Sequence, residues 1–246
     1  MDIHFLGTGS AYPGTERDHT SICFSNKGYH VLVDVSGNPC RKLKQLDVDL
    51  GELDAVVLTH FHIDHIYGLP SLLWGMWLEG RKKPLRIFCD YRNEKKLREW
   101  LAAMEADKWP ISFSIKVEIF NGDQEEQLLS GGEMSFTCFK ALHSVPAVGL
   151  EVQCAGRVVV YSCDTEINAR IGQYGHIDML IHEATSARTL TGNHSSLREV
   201  AEKYALDNIK EIVLVHLSDN EPYEEEVTRL GIPKIVIGED LMTKSL

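Results

Sequence analysis

The segment Thr59-His60-Phe61-His62-Ile63-Asp64-His65 follows directly on the apolar run Ala55-Val56-Val57-Leu58. No other part of the chain restricts the fold and the chemistry so tightly. The apolar run reads as a buried strand over 53–59 that ends at the histidine cluster. In extended chain His60 and His62 point to the same side, because side chains alternate. A turn after them lets Asp64 and His65 face the same cavity from another direction. Four donors on one short loop therefore suit two metal ions rather than one. A solvated polar loop after a strand would need none of this clustering.

Two metals need more ligands, and three distant residues are candidates. His143 follows a predicted strand at 134–142, Asp164 follows one at 157–163, and His216 ends one at 211–216. The carboxyl end of a strand is where α/β sheets commonly place functional groups.

The 246 residues fit one domain spanning 1–246 with a sizeable core. The 25 basic and 36 acidic side chains leave a net charge of -11, which argues against a generalist nucleic-acid binder but not against a local basic site. The longest uncharged apolar stretch, Ile66 to Leu78, is 13 residues and too short for a membrane span. The N-terminus has no basic leader segment, and the six cysteines show no C-x-x-C spacing, so a cytoplasmic protein with reduced thiols is expected. Strands are expected at 2–7, 21–26, 29–35, 85–89, 111–120, 147–154, 178–182 and 233–237. Helices are expected at 69–78, 93–106, 196–206 and 221–230. Asn26-Lys27-Gly28 and Ala155-Gly156 read as hairpin turns, and Ser196 with Glu199 as a capping box. Trp74 and Trp77 read as core packing, and His4, His19, His30 and His176 as ordinary side chains.

With these motifs in place, the chain resembles the metallo-β-lactamase superfamily, and within it ribonuclease Z, the tRNA 3′-processing endonuclease. Leu6-Gly7-Thr8-Gly9-Ser10 with Pro13 and Arg17 is similar to that family's opening loop. Tyr161-Ser162-Cys163-Asp164-Thr165 resembles its S-G-D-T, His182-Glu183-Ala184-Thr185 its H-E-A-T, and His194-Ser195-Ser196 its H-S-T. Val215-His216-Leu217-Ser218 completes the series, so the resemblance runs to about residue 218. Cys163 stands where the family has Gly, and Asp34-Val35-Ser36-Gly37-Asn38 differs from its D-C-G-E-G.

The resemblance implies an αββα sandwich of two mixed β-sheets with outer helices, and a site at one edge between the sheets. His60, His62 and His143 would hold one metal; Asp64, His65 and His216 the second; Asp164 would bridge both. Zn²⁺ suits three imidazoles plus carboxylate, with Mn²⁺ or Fe²⁺ as alternatives. A close metal pair can activate a bridging hydroxide and clamp a phosphodiester. Asp64 would also orient that hydroxide, and His194 would act as general acid. His182 or Glu183 would orient His194 or a ligand histidine, and Ser218 would touch substrate phosphate. Ribonuclease Z enzymes insert a long tRNA-gripping arm between the third histidine motif and the bridging aspartate. Here only 20 residues separate His143 from Asp164. A basic run remains at 81–98: Arg81, Lys82, Lys83, Arg86, Arg92, Lys95, Lys96 and Arg98. The resulting expectation is a phosphodiesterase for small or nucleotide-like substrates, working as a homodimer away from membranes. The alternatives are a ribonuclease Z-type RNA endonuclease, or another metallo-hydrolase such as a lactonase or sulfatase.

Overall fold

The computed structural model describes residues 1–12, 14–189 and 192–246. Its first half runs β1 (Asp2–Gly7), β2 (Ser21–Asn26), β3 (Tyr29–Val33), α1 (Pro39–Gln45), β4 (Leu53–Val57), α2 (Ile63–Ile66), α3 (Leu69–Leu78), β5 (Leu85–Asp90), α4 (Glu94–Ala103) and β6 (Ile115–Phe120). The second half runs β7 (Glu126–Gly131), β8 (Met134–Lys140), β9 (Val148–Cys154), β10 (Arg157–Tyr161), α5 (Ala169–Gly172), β11 (Ile177–Glu183), α6 (Leu197–Lys203), β12 (Ile209–Val215), α7 (Tyr223–Leu230), β13 (Ile235–Ile237) and β14 (Thr243–Ser245).

The strands form two sheets, ordered β14-β1-β2-β3-β4-β5-β6 and β13-β12-β11-β10-β9-β8-β7. Each sheet is mixed in the same way. Consecutive strands, with β14 added beside β1 in the first, make its antiparallel part, and helix crossovers make its parallel part, β3 to β6 in one sheet and β10 to β13 in the other. Alternation along the strands decides the layers. Ile22 and Phe24 of β2, Val31 and Val33 of β3, and Ala55 and Val57 of β4 meet Phe136, Leu150, Val159 and Ile181 between the sheets. The intervening Cys23, Leu32 and Val56 pack outward under α1 and α3. Leu180, Ile212 and Leu214 do the same under α6 and α7. These four layers are the expected αββα sandwich.

Both expected hairpin turns form, with Lys27 and Gly28 at φ 50° and 73° and Ala155 and Gly156 at 48° and 79°. Two positive φ values in a two-residue loop match the right-handed twist of the flanking strands. The Ser196–Glu199 capping box opens α6 as expected. Trp74 corrects the sequence reading. It is 43% exposed and makes a surface cluster with Trp77 and Trp109 instead of entering the core. Among the described residues no helix is long and apolar enough to cross a membrane.

Glu226 of α7 fastens the segment after β11, which leads to His194. Solvent does not reach its carboxylate, which accepts from Arg188 and Arg198 at 2.8 Å each and from Arg229 at 2.6 Å. Hydrogen bonds from Arg229, Arg198 and Arg188 hold this carboxyl well below the usual range. A depressed carboxylate stabilises above its unfolded pKa, and the contribution is lost as pH falls. Glu226→Gln is expected to cost about 2 kcal/mol at neutral pH, discounted for the part-exposed guanidiniums. That corresponds to a thermal midpoint lower by about 4–8 °C in a chain of this size. Melting curves should show the gap closing below about pH 4; a gap constant with pH would remove the ion cluster as its cause.

Candidate metal centre

The strands deliver their functional groups to one rim. Asp34 follows β3, Thr59 and His60 follow β4, His143 follows β8, Asp164 follows β10, Glu183 ends β11, and His216 follows β12. Asp64 and His65 come from the short helix α2, which turns the chain back toward His60. Donor atoms of His60, His62, His143 and Asp164 lie within 4.8 Å of one another, and so do those of Asp64, His65, Asp164 and His216. Asp164 is common to both groups, which is the arrangement the resemblance implied.

Outward hydrogen bonds determine what these atoms present inward. His143 Nδ1 donates to the Asn193 carbonyl at 2.8 Å, and His65 Nδ1 donates to the Asp34 carboxylate at 2.7 Å. Thr59 Oγ1 gives its only proton to Asp34, so at 3.1 Å it accepts from His60 Nδ1. Thr185 Oγ1 likewise donates to Glu183 and accepts from His216 Nδ1 at 2.8 Å. The rings of His60, His143 and His216 thus carry their proton on Nδ1 and turn Nε2 to the centre, while His65 gives its Nδ1 proton to Asp34.

The inward nitrogens are crowded. His62 Nδ1 lies 3.1 Å from both His60 Nε2 and His143 Nε2, and it can donate a proton to only one of them. His65 Nε2 and His216 Nε2 face Asp164 Oδ2 at 3.3 Å each, and Asp64 Oδ2 at 3.2 and 3.5 Å. Among the described residues, the buried atoms His65 Nε2 and Asp164 Oδ1 have no hydrogen-bond partner. Nitrogen and carboxylate donors converge here with few protons between them, so the residues present fit divalent metal.

The electrostatics agree. Burial, reinforced by neighbouring imidazoles, pushes His60 well below the usual histidine range and lowers His62 and His143. Burial also opposes a charge on His65, but Asp164 and Asp34 outweigh it and hold this ring well above that range. Asp164 is driven well down in spite of its own burial, by His216, His65 and His60. One half of the centre is thus poised as neutral nitrogen donors, and the other concentrates negative charge.

His194 stands at the mouth, with its side chain 22% exposed and its ring stacked on His216 at a centroid distance of 5.2 Å. Its Nδ1 donates to Glu183 Oε1 at 3.0 Å. Burial disfavours its imidazolium, but the bond to Glu183 outweighs this and raises its pKa. Glu183 accepts as well from the backbone N–H groups of Thr165, Ser195 and Thr185. Of the two residues expected to orient the site, only Glu183 reaches it. His182 points to the opposite face of β11, donates to the Glu183 carbonyl and meets the Tyr204 hydroxyl at 3.1 Å. Period-two alternation dictates this: with Glu183 facing the rim, its neighbour faces the helices. Ser218 Oγ donates to the Thr185 carbonyl and lies 3.3 Å from Ser10 Oγ. Both line a cleft of about 390 Å³ with Tyr12, Thr15, Asp219, Asn220 and Glu221.

Asp34 and Thr185 are functional partners that the sequence reading passed over. Asp34 is fully buried and ties His65 directly and His60 through Thr59. Its position at the end of β3 is the same strand-end signal that picked out His143 and His216. Cys163, where the resemblance expects Gly, keeps a left-handed φ of 57° and sets its sulfur 3.5 Å from His60 Nδ1.

Comparison with known proteins agrees with this fold. The chain is 26% identical to ribonuclease Z of Methanococcus maripaludis over 310 aligned positions that cover 100% of both chains. Its fold superposes on the metallo-β-lactamase fold protein YhfI of Bacillus subtilis with a TM-score of 0.82, at 20% identity over 99% of each chain. It superposes on human tRNase Z, short form (ELAC1), with a TM-score of 0.79, at 25% identity over 100% of this chain and 99% of that one. Residues 1–234 match the family model described as Anti-Pycsar protein Apyc1. The chain is therefore a metal-dependent hydrolase of the ribonuclease Z-like branch of the metallo-β-lactamase superfamily, and it belongs to the Anti-Pycsar protein Apyc1 family.

Proposed function

We propose that the chain is a dinuclear phosphodiesterase acting on small or nucleotide-like phosphodiesters. His60, His62 and His143 would hold one ion, Asp64, His65 and His216 the other, and Asp164 both. When bound, two divalent ions, Zn²⁺ before Mn²⁺ or Fe²⁺, supply Lewis-acid activation of water and of the phosphoryl oxygens. Asp64 places a carboxylate where it can orient the attacking water. His194, held by Glu183 at the mouth, donates the proton that the leaving oxygen needs. Ser10 Oγ, 3.3 Å from Ser218 Oγ, offers its hydroxyl to the phosphate from the rim of the cleft, while Ser218 keeps its proton on the Thr185 carbonyl.

The observation that carries the substrate class is the short path from His143 to Asp164. It folds as the hairpin β9–β10, closed by Ala155-Gly156, with no room for a substrate arm. The alignment with ribonuclease Z runs over 310 positions although this chain has 246 residues, in keeping with a trimmed scaffold. The basic run supports the same reading, because most of it is already engaged. Arg81 is buried on four backbone carbonyls, and Lys83, Arg86, Arg92, Lys95 and Arg98 pair with acids.

An arm-less ribonuclease Z-type endonuclease is the second reading, favoured by the full-length similarity to ribonuclease Z. Metal-loaded protein assayed on bis(p-nitrophenyl) phosphate, cyclic and linear nucleotides, precursor tRNA, a lactone and an aryl sulfate separates the readings. Turnover of the small phosphodiesters at least about 100-fold above that of tRNA is expected. Efficient cleavage of precursor tRNA with negligible turnover of small diesters would sink the proposal. The exposed apolar side chains around α2 and α3, Ile63, Tyr67, Trp74 and Leu78, are the surface through which the expected homodimer would form. Six free cysteines, five of them buried, support the expected cytoplasmic setting.

A further inference from the structure

We propose that Asp240, in the C-terminal tail, is a positioning residue for the metal centre. It acts through the opening loop that holds His216 in place, and the inference rests on the reading of His216 as a ligand. The tail crosses from one sheet to the other. Gly238 donates to the Leu214 carbonyl of β12 at 2.9 Å, and any Cβ there would collide with that carbonyl and crowd Thr8. Leu241 then donates to Phe5 and Phe5 to Met242, which lays the tail along β1.

Asp240 is fixed between them, with its side chain 15% exposed. Its Oδ1 accepts from the Thr8 backbone N–H at 2.9 Å and from Thr8 Oγ1 at 3.0 Å. Its Oδ2 accepts from the Asp18 backbone N–H at 2.9 Å and from Lys42 Nζ of α1 at 2.5 Å. Thr8 and Asp18 flank Gly9, which donates to the Asp18 carbonyl at 2.7 Å. One carboxylate therefore sets both sides of the opening loop.

The loop in turn brackets the residue after His216. Leu217 donates to the Thr8 carbonyl and Ser10 donates to the Leu217 carbonyl, each at 2.9 Å. His216 has a left-handed φ of 56°, a conformation that a histidine keeps only where its surroundings over-determine it. The backbone bonds to Thr8 and Ser10, with the Thr185 hydroxyl on the ring, are that over-determination. The path runs Asp240, Thr8, Leu217, His216, and every link is a hydrogen bond or a peptide bond. The family match ends at residue 234, so Asp240 lies outside it.

The test is Zn²⁺ titration of metal-stripped, full-length protein by calorimetry, with metal content measured independently. Asp240→Asn keeps the shape but turns an amide N–H₂ against one pair of donors. Lys42→Met leaves the carboxylate and removes its cation. Asp178→Asn is the control. This buried carboxylate accepts from the Val158 backbone N–H at 3.0 Å and from Arg157 at 2.8 Å, at the far end of the same sheet as His216. Asp240→Asn is expected to weaken one of the two equivalents of Zn²⁺ about tenfold while the other stays within about twofold. Lys42→Met should weaken that same equivalent by a smaller factor, and Asp178→Asn should leave both equivalents unchanged even if it melts earlier. Wild-type affinities in both Asp240→Asn and Lys42→Met overturn the inference. If Asp240→Asn does not fold, Lys42→Met decides by the same criterion. A wild type that takes up fewer than two Zn²⁺ overturns the two-metal reading, and this inference with it.

Discussion

Replacing His194 with alanine is expected to lower kcat on diesters with alkoxide leaving groups by about 10²–10⁴, with metal content unchanged. The magnitude follows from the leaving group. An alkoxide departs poorly unless it is protonated, whereas a p-nitrophenolate departs unaided, so bis(p-nitrophenyl) phosphate should lose less than about tenfold. His194 is placed for this role. Its Nδ1 is taken by Glu183, so Nε2 is the nitrogen left to carry the transferable proton at the mouth of the centre. Glu183→Gln should give a smaller loss with the same leaving-group dependence, because it loosens the ring without removing it. Equal losses on both substrate types, or loss of a metal ion in His194→Ala, would show that the ring supports the centre and does not donate the proton.

The fold and the ligand set were legible for different reasons. The candidate ligands are polar residues at or just after the ends of apolar strands, and that contrast survives in one dimension. His143, Asp164 and His216, picked out at strand ends, and His60, His62, Asp64 and His65 of the histidine loop come together in the structure. The hydrogen-bonding layer behind them is less visible. Thr59 and Thr185 look like ordinary strand-end threonines until Asp34 and Glu183 take their protons and force each to accept from a ligand ring. His182 was over-read for the opposite reason: as part of a motif it looked functional, although alternation with Glu183 turns it to the helix side. The missed strands carry no alternating apolar pattern. In β7 only the adjacent Leu128 and Leu129 are apolar, and β14 is a polar edge strand held by pairing with β1 and by the contact between Met1 and Leu246. Long-range pairing of that kind leaves no local trace.

Asp164→Asn should be the most damaging single substitution for metal binding. Asp164 is 2% exposed and offers carboxylate oxygen to both groups of donors, and one of its buried oxygens has no other hydrogen-bond partner among the described residues. An amide supplies one neutral oxygen in place of two charged ones, so it cannot serve both groups. Metal content is expected to fall from two ions to one or fewer, and kcat/KM by about 10³ or more, since a two-ion clamp on the attacking and leaving oxygens is lost. Thermal stability should move differently in the two metal states. In metal-loaded wild type, ligand linkage contributes about 4 kcal/mol at a thousandfold excess over Kd. For a chain of this size that raises the thermal midpoint by about 8–16 °C, a gain that chelation should remove. Asp164→Asn should forfeit most of it. The stripped variant should melt somewhat below stripped wild type, because the imidazoles that hold Asp164 well below the usual carboxylate range lose their charged partner. Two ions bound to Asp164→Asn with wild-type affinity would mean that the groups around His60 and His216 are independent sites, and that no carboxylate joins them.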